Sequence, residues 1–143
     1  MKKAATFILS LFILIGMLAC NSEKDIKQDI FGLVKENRAA LAEMVYFNDF
    51  RNATAIDGIT SVSKSNGYII FYCKGSGISA SSQEYGFYYS PKDIPIAIFD
   101  GKTACAPEDM SRKGNGFQYT DTSFNSYYTE KIEGNFYYYS NSF

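Results

Sequence analysis

The side chains that could do chemistry in this chain are cysteines, carboxylates and tyrosines, because the sequence contains no histidine. A chain without histidine cannot by itself build a Ser-His-Asp triad, a Cys-His pair or a His-ligated zinc site. Its three cysteines are also too few for an all-thiolate structural zinc site. We therefore predict no catalytic residues of these kinds, no metal site and no cofactor.

Two of the cysteines, Cys73 and Cys105, lie well inside the chain. In an oxidising compartment they could form a disulfide that closes a loop of about 32 residues, worth roughly 3 to 4 kcal/mol in the chain-entropy model. The alternative is a buried strand thiol at Cys73 and a separate loop thiol at Cys105. The sequence leaves both alternatives open.

Several carboxylates fall on predicted loops, and paired acids are the chemistry of glycosidases. Such a pair needs closeness in space, which spacing along the chain does not reveal. An envelope hydrolase that uses loop carboxylates is therefore the alternative functional hypothesis. The candidate acids are Asp93, Asp100, Glu108, Asp109 and Asp121.

The most unusual feature of the composition is its aromatic content, with 12 tyrosines, 12 phenylalanines and no tryptophan. Consecutive residues of a strand point to opposite faces, so the run Tyr137–Tyr139 cannot enter a single core. Tyrosine is enriched at interfaces, and we predict that some of these rings form a binding surface for an envelope protein or a glycan. The alternative is aromatic packing within the sheet. The candidate interface residues are Tyr88, Tyr128, Tyr137 and Tyr139.

The N-terminal segment has the order of a secretory signal peptide. Lys2 and Lys3 precede an uncharged run from Ala4 to Ala19, which is shorter than the roughly 20 residues that a membrane-spanning helix prefers. The run ends at "MLAC", residues 17–20, and this motif resembles the lipobox of bacterial lipoproteins. The resemblance implies that signal peptidase II cuts before Cys20 and that the Cys20 thiol is acylated.

The lipobox resemblance sets the expected domain organisation and location. We expect a signal peptide at 1–19, a lipidated cysteine and short tether at 20–25, and a single domain at 26–143. The protein is then exported and anchored to the bacterial cell membrane, and the sequence does not distinguish between inner and outer membranes. Its formal charge of −1 argues against a nucleic-acid partner.

The elements of the mature chain follow from its hydrophobic periodicity. Residues 23 to about 47 are predicted to form one amphipathic helix, with Ser22 suited to cap it. Asn66-Gly67 predicts a tight hairpin turn, and aromatic segments after it predict further strands. The predicted fold class is α+β, with an N-terminal amphipathic helix packed on a mostly antiparallel sheet of about five or six strands.

Two segments, "GFYYSPKDIP" at 86–95 and "YYTEKIEGNFYYY" at 127–139, resemble parts of small uncharacterised exported bacterial proteins. That resemblance implies no activity. From the sequence we predict a membrane-anchored lipoprotein that acts as a non-enzymatic binding or inhibitory module at the membrane surface.

Overall fold

The computed structural model describes residues 22–76, 82–99, 102–103 and 107–143. Two helices, α1 (Glu23–Glu36) and α2 (Arg38–Phe47), precede a short 3-10 turn at Ala53–Ala55. Nine strands are present among the described residues. They are β1 (Ser61–Ser65), β2 (Tyr68–Ser76), β3 (Gln83–Tyr89), β4 (Ile98–Phe99), β5 (Lys102–Thr103), β6 (Ser111–Lys113), β7 (Gly116–Thr120), β8 (Ser126–Glu133) and β9 (Phe136–Ser142).

The predicted single N-terminal helix is wrong, because two short helices occupy residues 23–47 and they do not lie at the start of the chain. The break falls at Asn37, whose backbone lies outside helical geometry at φ −104° and ψ 14°. The Leu33 carbonyl oxygen accepts from both the backbone N–H of Asn37, over 3.1 Å, and its side-chain amide, over 2.9 Å. The asparagine side chain thus makes a local hydrogen bond beside the backbone bond and holds Asn37 in its non-helical conformation.

The predicted cap at Ser22 is confirmed. Ser22 Oγ accepts from the Asp25 backbone N–H at 3.3 Å, and Asp25 Oδ2 accepts from the Ser22 N–H at 3.1 Å. This reciprocal capping box satisfies two of the free backbone donors at a helix start. Residues 23–25, which the sequence assigned to the tether, therefore form the first turn of α1.

The main sheet has seven antiparallel strands in the order β1-β2-β3-β9-β8-β7-β6, and β4 pairs with β5 separately. The prediction of five or six strands is therefore wrong. The edge strand β6 explains part of the error, because its three residues are all exposed and carry no apolar alternation. The hairpin at Asn66-Gly67 is confirmed, with left-handed φ angles of 51° and 85° between β1 and β2.

Both faces of the central sheet are covered, and this produces two separate cores. Helices α1 and α2 pack on one face, where Phe71 and Phe87 stack with ring centroids 4.5 Å apart. Ile96 and Ile98, which follow β3 in the chain, pack on the opposite face. Tyr138 therefore enters the helix-side core, and its neighbours Tyr137 and Tyr139 enter the second core.

Candidate binding groove

A concave groove lies between the first two turns of α1 and the helix-side face of the sheet. Its volume is about 800 Å³, within the range of small-molecule sites. We call it the Lys27 groove. Its lining residues are Ser22, Glu23, Lys24, Lys27, Gln83, Tyr85, Lys113, Gly114, Ser126, Tyr128, Tyr138, Ser140, Asn141 and Ser142.

The direction of α1 creates this groove. At the helix start, Ser140 Oγ of β9 donates to Glu23 Oε1 over 3.3 Å, and Lys27 pairs with Glu130 of β8 one turn later. Beyond the helix end, Arg38 lies 3.8 Å from Glu133 at the far end of β8. Helix α1 and strand β8 thus run in the same direction, and the sheet beside the first turns of α1 forms the groove wall.

Lys27, Tyr128 and Tyr138 form the floor of the groove, and Lys27 and Tyr128 bind Glu130, which is not itself a lining residue. The Lys27 ammonium donates to Glu130 Oε2, and the Tyr128 hydroxyl donates to the same oxygen over 2.5 Å. The ammonium also lies 5.3 Å and 5.8 Å from the ring centroids of Tyr128 and Tyr138, within cation–π range. The Glu130 side chain is only 9% exposed, so its negative charge depends on these two donors.

Two tyrosine hydroxyls in the groove are held in the neutral form. Burial and, after it, the hydrogen bond to Glu130 raise the pKa of Tyr128. Burial raises the pKa of Tyr138, although Ser140 offsets part of that rise. The Tyr138 hydroxyl makes no hydrogen bond of ordinary geometry. Both hydroxyls therefore stay protonated at neutral pH, and that of Tyr138 is buried beneath the groove surface.

The rim of the groove consists of hydroxyl and amide groups. Tyr85 donates to Gln83 Oε1 over 2.5 Å, and Ser126 Oγ accepts from the side-chain amide of Gln118 over 2.7 Å. Ser140 and Ser142 project from the neighbouring strand β9. Groups of this kind bind the hydroxyl, amide and carboxylate groups of a polar ligand, while the aromatic floor packs against its apolar faces.

Of the four tyrosines predicted to form an interface, the structure places only Tyr128 in the groove. Tyr88, Tyr137 and Tyr139 lie inside the second core and are each less than 5% exposed. The Tyr88 hydroxyl is shared with Thr129 Oγ1 at 2.7 Å and accepts from the Ile96 N–H at 2.9 Å. These three rings pack against other protein groups, because a second layer covers the face on which they lie.

The cysteine predictions are only partly within the described residues. Cys73 is a half-buried free thiol, and burial raises its pKa to about 12. A thiol with so high a pKa is a poor nucleophile at neutral pH. Cys20, the predicted lipidation site, and Cys105, the predicted disulfide partner, lie outside the described residues.

The loop carboxylates are engaged in separate structural contacts where they are described. Asp93 accepts from Lys131 Nζ at 2.6 Å and from the Tyr137 hydroxyl at 2.9 Å. Asp121 organises the β7–β8 turn. Glu108 and Asp109 are exposed in a 3-10 turn, and Asp100 lies outside the described residues. Among the described residues, no side chain contacts two of these acids, so the structure shows no acid pair of the kind that glycosidases use.

Sequence reasoning missed Lys27 and Glu130. Lys27 lies on the polar face of the amphipathic pattern at 23–47, where a lysine is usually solvated. A signal for Glu130 was present in the sequence of β8. Tyr128, Glu130 and Ile132 are two positions apart, which places all three on the same face of the strand. An acid between two apolar neighbours on a covered face needs a partner, and here that partner is Lys27.

Within the described ranges, no cluster of side chains suited to a metal ion occurs, and no helix is long and apolar enough to cross a membrane. Comparisons of the chain with protein-family models, with curated proteins and with solved structures find no match. The groove and its contacts are therefore the basis for a functional proposal.

Proposed function

We propose that this protein is a bacterial lipoprotein, anchored through an acylated Cys20, whose domain is a non-enzymatic module that binds an envelope glycan in the Lys27 groove. The observation that carries the binding role is the convergence of lysine, hydroxyl and amide groups around an aromatic floor in one concavity. The groove volume of about 800 Å³ lies within the range of sites for small ligands. A protein partner would instead need a contact of roughly 800 Å² on each side.

A glycan also matches the polarity of the site. Sugar hydroxyls can exchange hydrogen bonds with Ser126, Ser140 and Ser142, which line the groove. Lys24 and Lys113 add positive charge at the rim, which favours glycans that carry carboxylates. A second groove of about 780 Å³ on the other side of α1 is lined by three acids and one lysine, so its charge is less suited to a carboxylate-bearing glycan. These residues are Asp29, Glu36, Asp57 and Lys74.

The anchor supports a site of action at the membrane surface. Cys20 precedes the helix cap Ser22 by two residues, and an extended chain spans about 3.5 Å per residue. At most about 7 Å of extended chain can therefore separate the Cα atoms of Cys20 and Ser22, so the anchor holds the start of α1 close to the bilayer. Each buried methylene contributes about 0.8 kcal/mol, so two or three acyl chains hold the protein durably where one binds only marginally.

Lipidation is tested by mass spectrometry of protein isolated from bacterial membranes, together with labelling by radioactive palmitate. We expect a mature N-terminus at Cys20 that carries acyl groups, and loss of the label in Cys20→Ser. Cys73→Ser is the matched control and should keep the label. Native material that begins upstream of Cys20, or that never incorporates palmitate, would contradict the anchor.

Binding is tested by calorimetry of the detergent-solubilised protein with soluble peptidoglycan fragments. Lys27→Gln should weaken binding about tenfold or more, because it removes the floor cation and leaves Glu130 with one donor. Lys131→Gln is the control, since Lys131 belongs to an ion pair with Asp93 outside the groove. Equal affinities of the two variants would exclude the groove as the site. Turnover of the fragments would favour the hydrolase hypothesis instead.

A further inference from the structure

The turn between β7 and β8 displays an aromatic side chain to solvent in an unfavourable backbone conformation. Phe124 is 88% exposed, the highest value among the large hydrophobic residues described. Its φ of 65° lies in the left-handed region, which a bulky residue other than glycine rarely adopts. An exposed ring in a strained backbone has no stabilising role within the domain, so the position points to a function.

The turn holds Phe124 in a defined position. Asp121 Oδ1 accepts from the backbone N–H groups of Ser123 and Asn125 at 2.8 Å and 3.0 Å. The Phe124 N–H donates to the Asp121 carbonyl oxygen over 3.1 Å. Asn125 Nδ2 donates to Asp121 Oδ2 over 2.9 Å. These four bonds fix the turn on either side of Phe124, so its ring projects from a preorganised loop.

The Phe124 turn lies at the same end of the molecule as the start of α1. The last rung of the sheet at this end joins Gln83 to Ser142, Ser142 to Ser126 and Ser126 to Thr120. Phe124 belongs to the turn that connects Thr120 with Ser126. Ser126 and Ser142 line the Lys27 groove together with Ser22, the cap of α1. The exposed ring and the cap two residues after Cys20 therefore share one end of the domain.

We infer that Phe124 inserts into the lipid surface and forms a second membrane contact beside the acylated Cys20. The inference rests on the proposed lipid anchor, which turns this end of the domain towards the bilayer. An aromatic ring transferred from water to the acyl boundary gains hydrophobic free energy that no contact inside the domain supplies. Two contacts on one end also restrict rotation about the tether and set the direction in which the Lys27 groove opens.

The absence of tryptophan from the chain allows a direct test. Phe124→Trp creates a single fluorophore in the full lipidated protein, which is reconstituted into phosphatidylcholine–phosphatidylglycerol vesicles with brominated acyl chains. Phe47→Trp is the matched control, because Phe47 is 66% exposed and ends α2. Its neighbour Asn48 contacts Lys64 of β1, and Lys64 pairs with Ile69 near the opposite end of the sheet. Phe47 therefore lies far from the end of the domain that carries Phe124.

We expect bromine to quench tryptophan at position 124 at least twofold and to leave tryptophan at position 47 unchanged. Vesicle-bound, acylated protein in which position 124 is not quenched, or in which both positions are quenched equally, would overturn the inference and leave the anchor intact. Protein without an acyl group on Cys20 would refute the proposed anchor, and the inference would fall with it. Circular dichroism of both variants confirms that each exposed substitution preserves the fold.

Discussion

At the scale of single residues, Glu130 holds the two groove residues Lys27 and Tyr128 in place. This carboxylate is almost buried and accepts hydrogen bonds from Lys27 and Tyr128. A buried charge without partners is costly, whereas the same charge with two donors is tolerated. The pair of Asp93 and Lys131 provides a contrast, since its side chains are 43% and 48% exposed. Solvent screens such an exposed pair strongly.

A double-mutant cycle should separate the two ion pairs. We expect a coupling free energy of about 1 to 2 kcal/mol between Lys27→Met and Glu130→Gln, because one partner is buried. The cycle of Lys131→Met with Asp93→Asn should give less than about 0.5 kcal/mol. Urea denaturation of each variant measures both values. Equal coupling in the two cycles would mean that water reaches Glu130 as freely as it reaches Asp93.

The thiol of Cys73 should be unreactive in the folded protein. With a pKa of about 12, roughly one molecule in 10,000 carries the thiolate at pH 8. We expect iodoacetamide to label the peptide containing Cys73 at least a hundredfold more slowly in native protein than in urea, with reductant present in both samples. Mass spectrometry of that peptide gives the two rates. Rapid labelling of native protein would show that the thiol is exposed to solvent.

At the scale of elements, close contact between strands β2, β3 and β9 depends on Gly86. A Cβ atom at this position would lie 2.1 Å from the Phe71 carbonyl oxygen and 2.8 Å from the Tyr139 ring. The ring of Tyr139 thus crosses the backbone of β3 in space that any side chain would fill. Gly32 in α1 is different, because a Cβ there would meet nothing within 4 Å.

Alanine at these two glycines should have opposite effects on stability. Gly86→Ala should destabilise the protein by about 3 kcal/mol, since the strand backbone or the buried ring must move. Gly32→Ala should stabilise it by about 0.5 to 1 kcal/mol, because alanine is the better helix former. Thermal denaturation followed by circular dichroism compares the two variants with the parent. An unchanged melting temperature for Gly86→Ala would show that the Tyr139 ring can move aside without loss of stability.

At the scale of the whole molecule, two cores on opposite faces of one sheet bury the tyrosine-rich strands. Burial raises the pKa of Tyr88 and Tyr139 in the second core and of Tyr138 beneath the helices. In each case the folded-state pKa lies above the unfolded value of about 10. The folded state therefore holds protons that the unfolded state releases in alkali.

Alkaline pH should unfold the protein cooperatively. The stabilisation linked to these tyrosines is fully present below about pH 10 and is lost as the pH rises towards the folded-state pKa values. Each tyrosine that ionises only after unfolding lowers the free energy of unfolding by about 1.4 kcal/mol per pH unit. The part of the tyrosinate absorbance that comes from the buried rings should change together with the far-ultraviolet circular dichroism. Ionisation of all tyrosines before any loss of structure would contradict their burial.

Prediction from the sequence succeeded where a signal is local. The cap at Ser22 and the hairpin at Asn66-Gly67 depend on residues within a few positions of each other, and both were read correctly. In β2, Ile70 enters one core and Phe71 the other, as the alternation of side chains along a strand requires. The break at Asn37 was missed, because the apolar pattern continues through this position and the side-chain hydrogen bond to Leu33 leaves no mark in that pattern.

The composition of the chain excluded chemistry that depends on its own histidines. The order of its residues predicted that Tyr137, Tyr138 and Tyr139 divide between the two faces of a strand. Only the folded structure decided what covers each face. Ile96 and Ile98 cover the second face, and they follow β3 in a segment whose short apolar pattern does not specify a target. Likewise, Lys27 and Glu130 meet across 103 residues. Contacts at such separation depend on how the elements pack, which periodicity within one element does not encode.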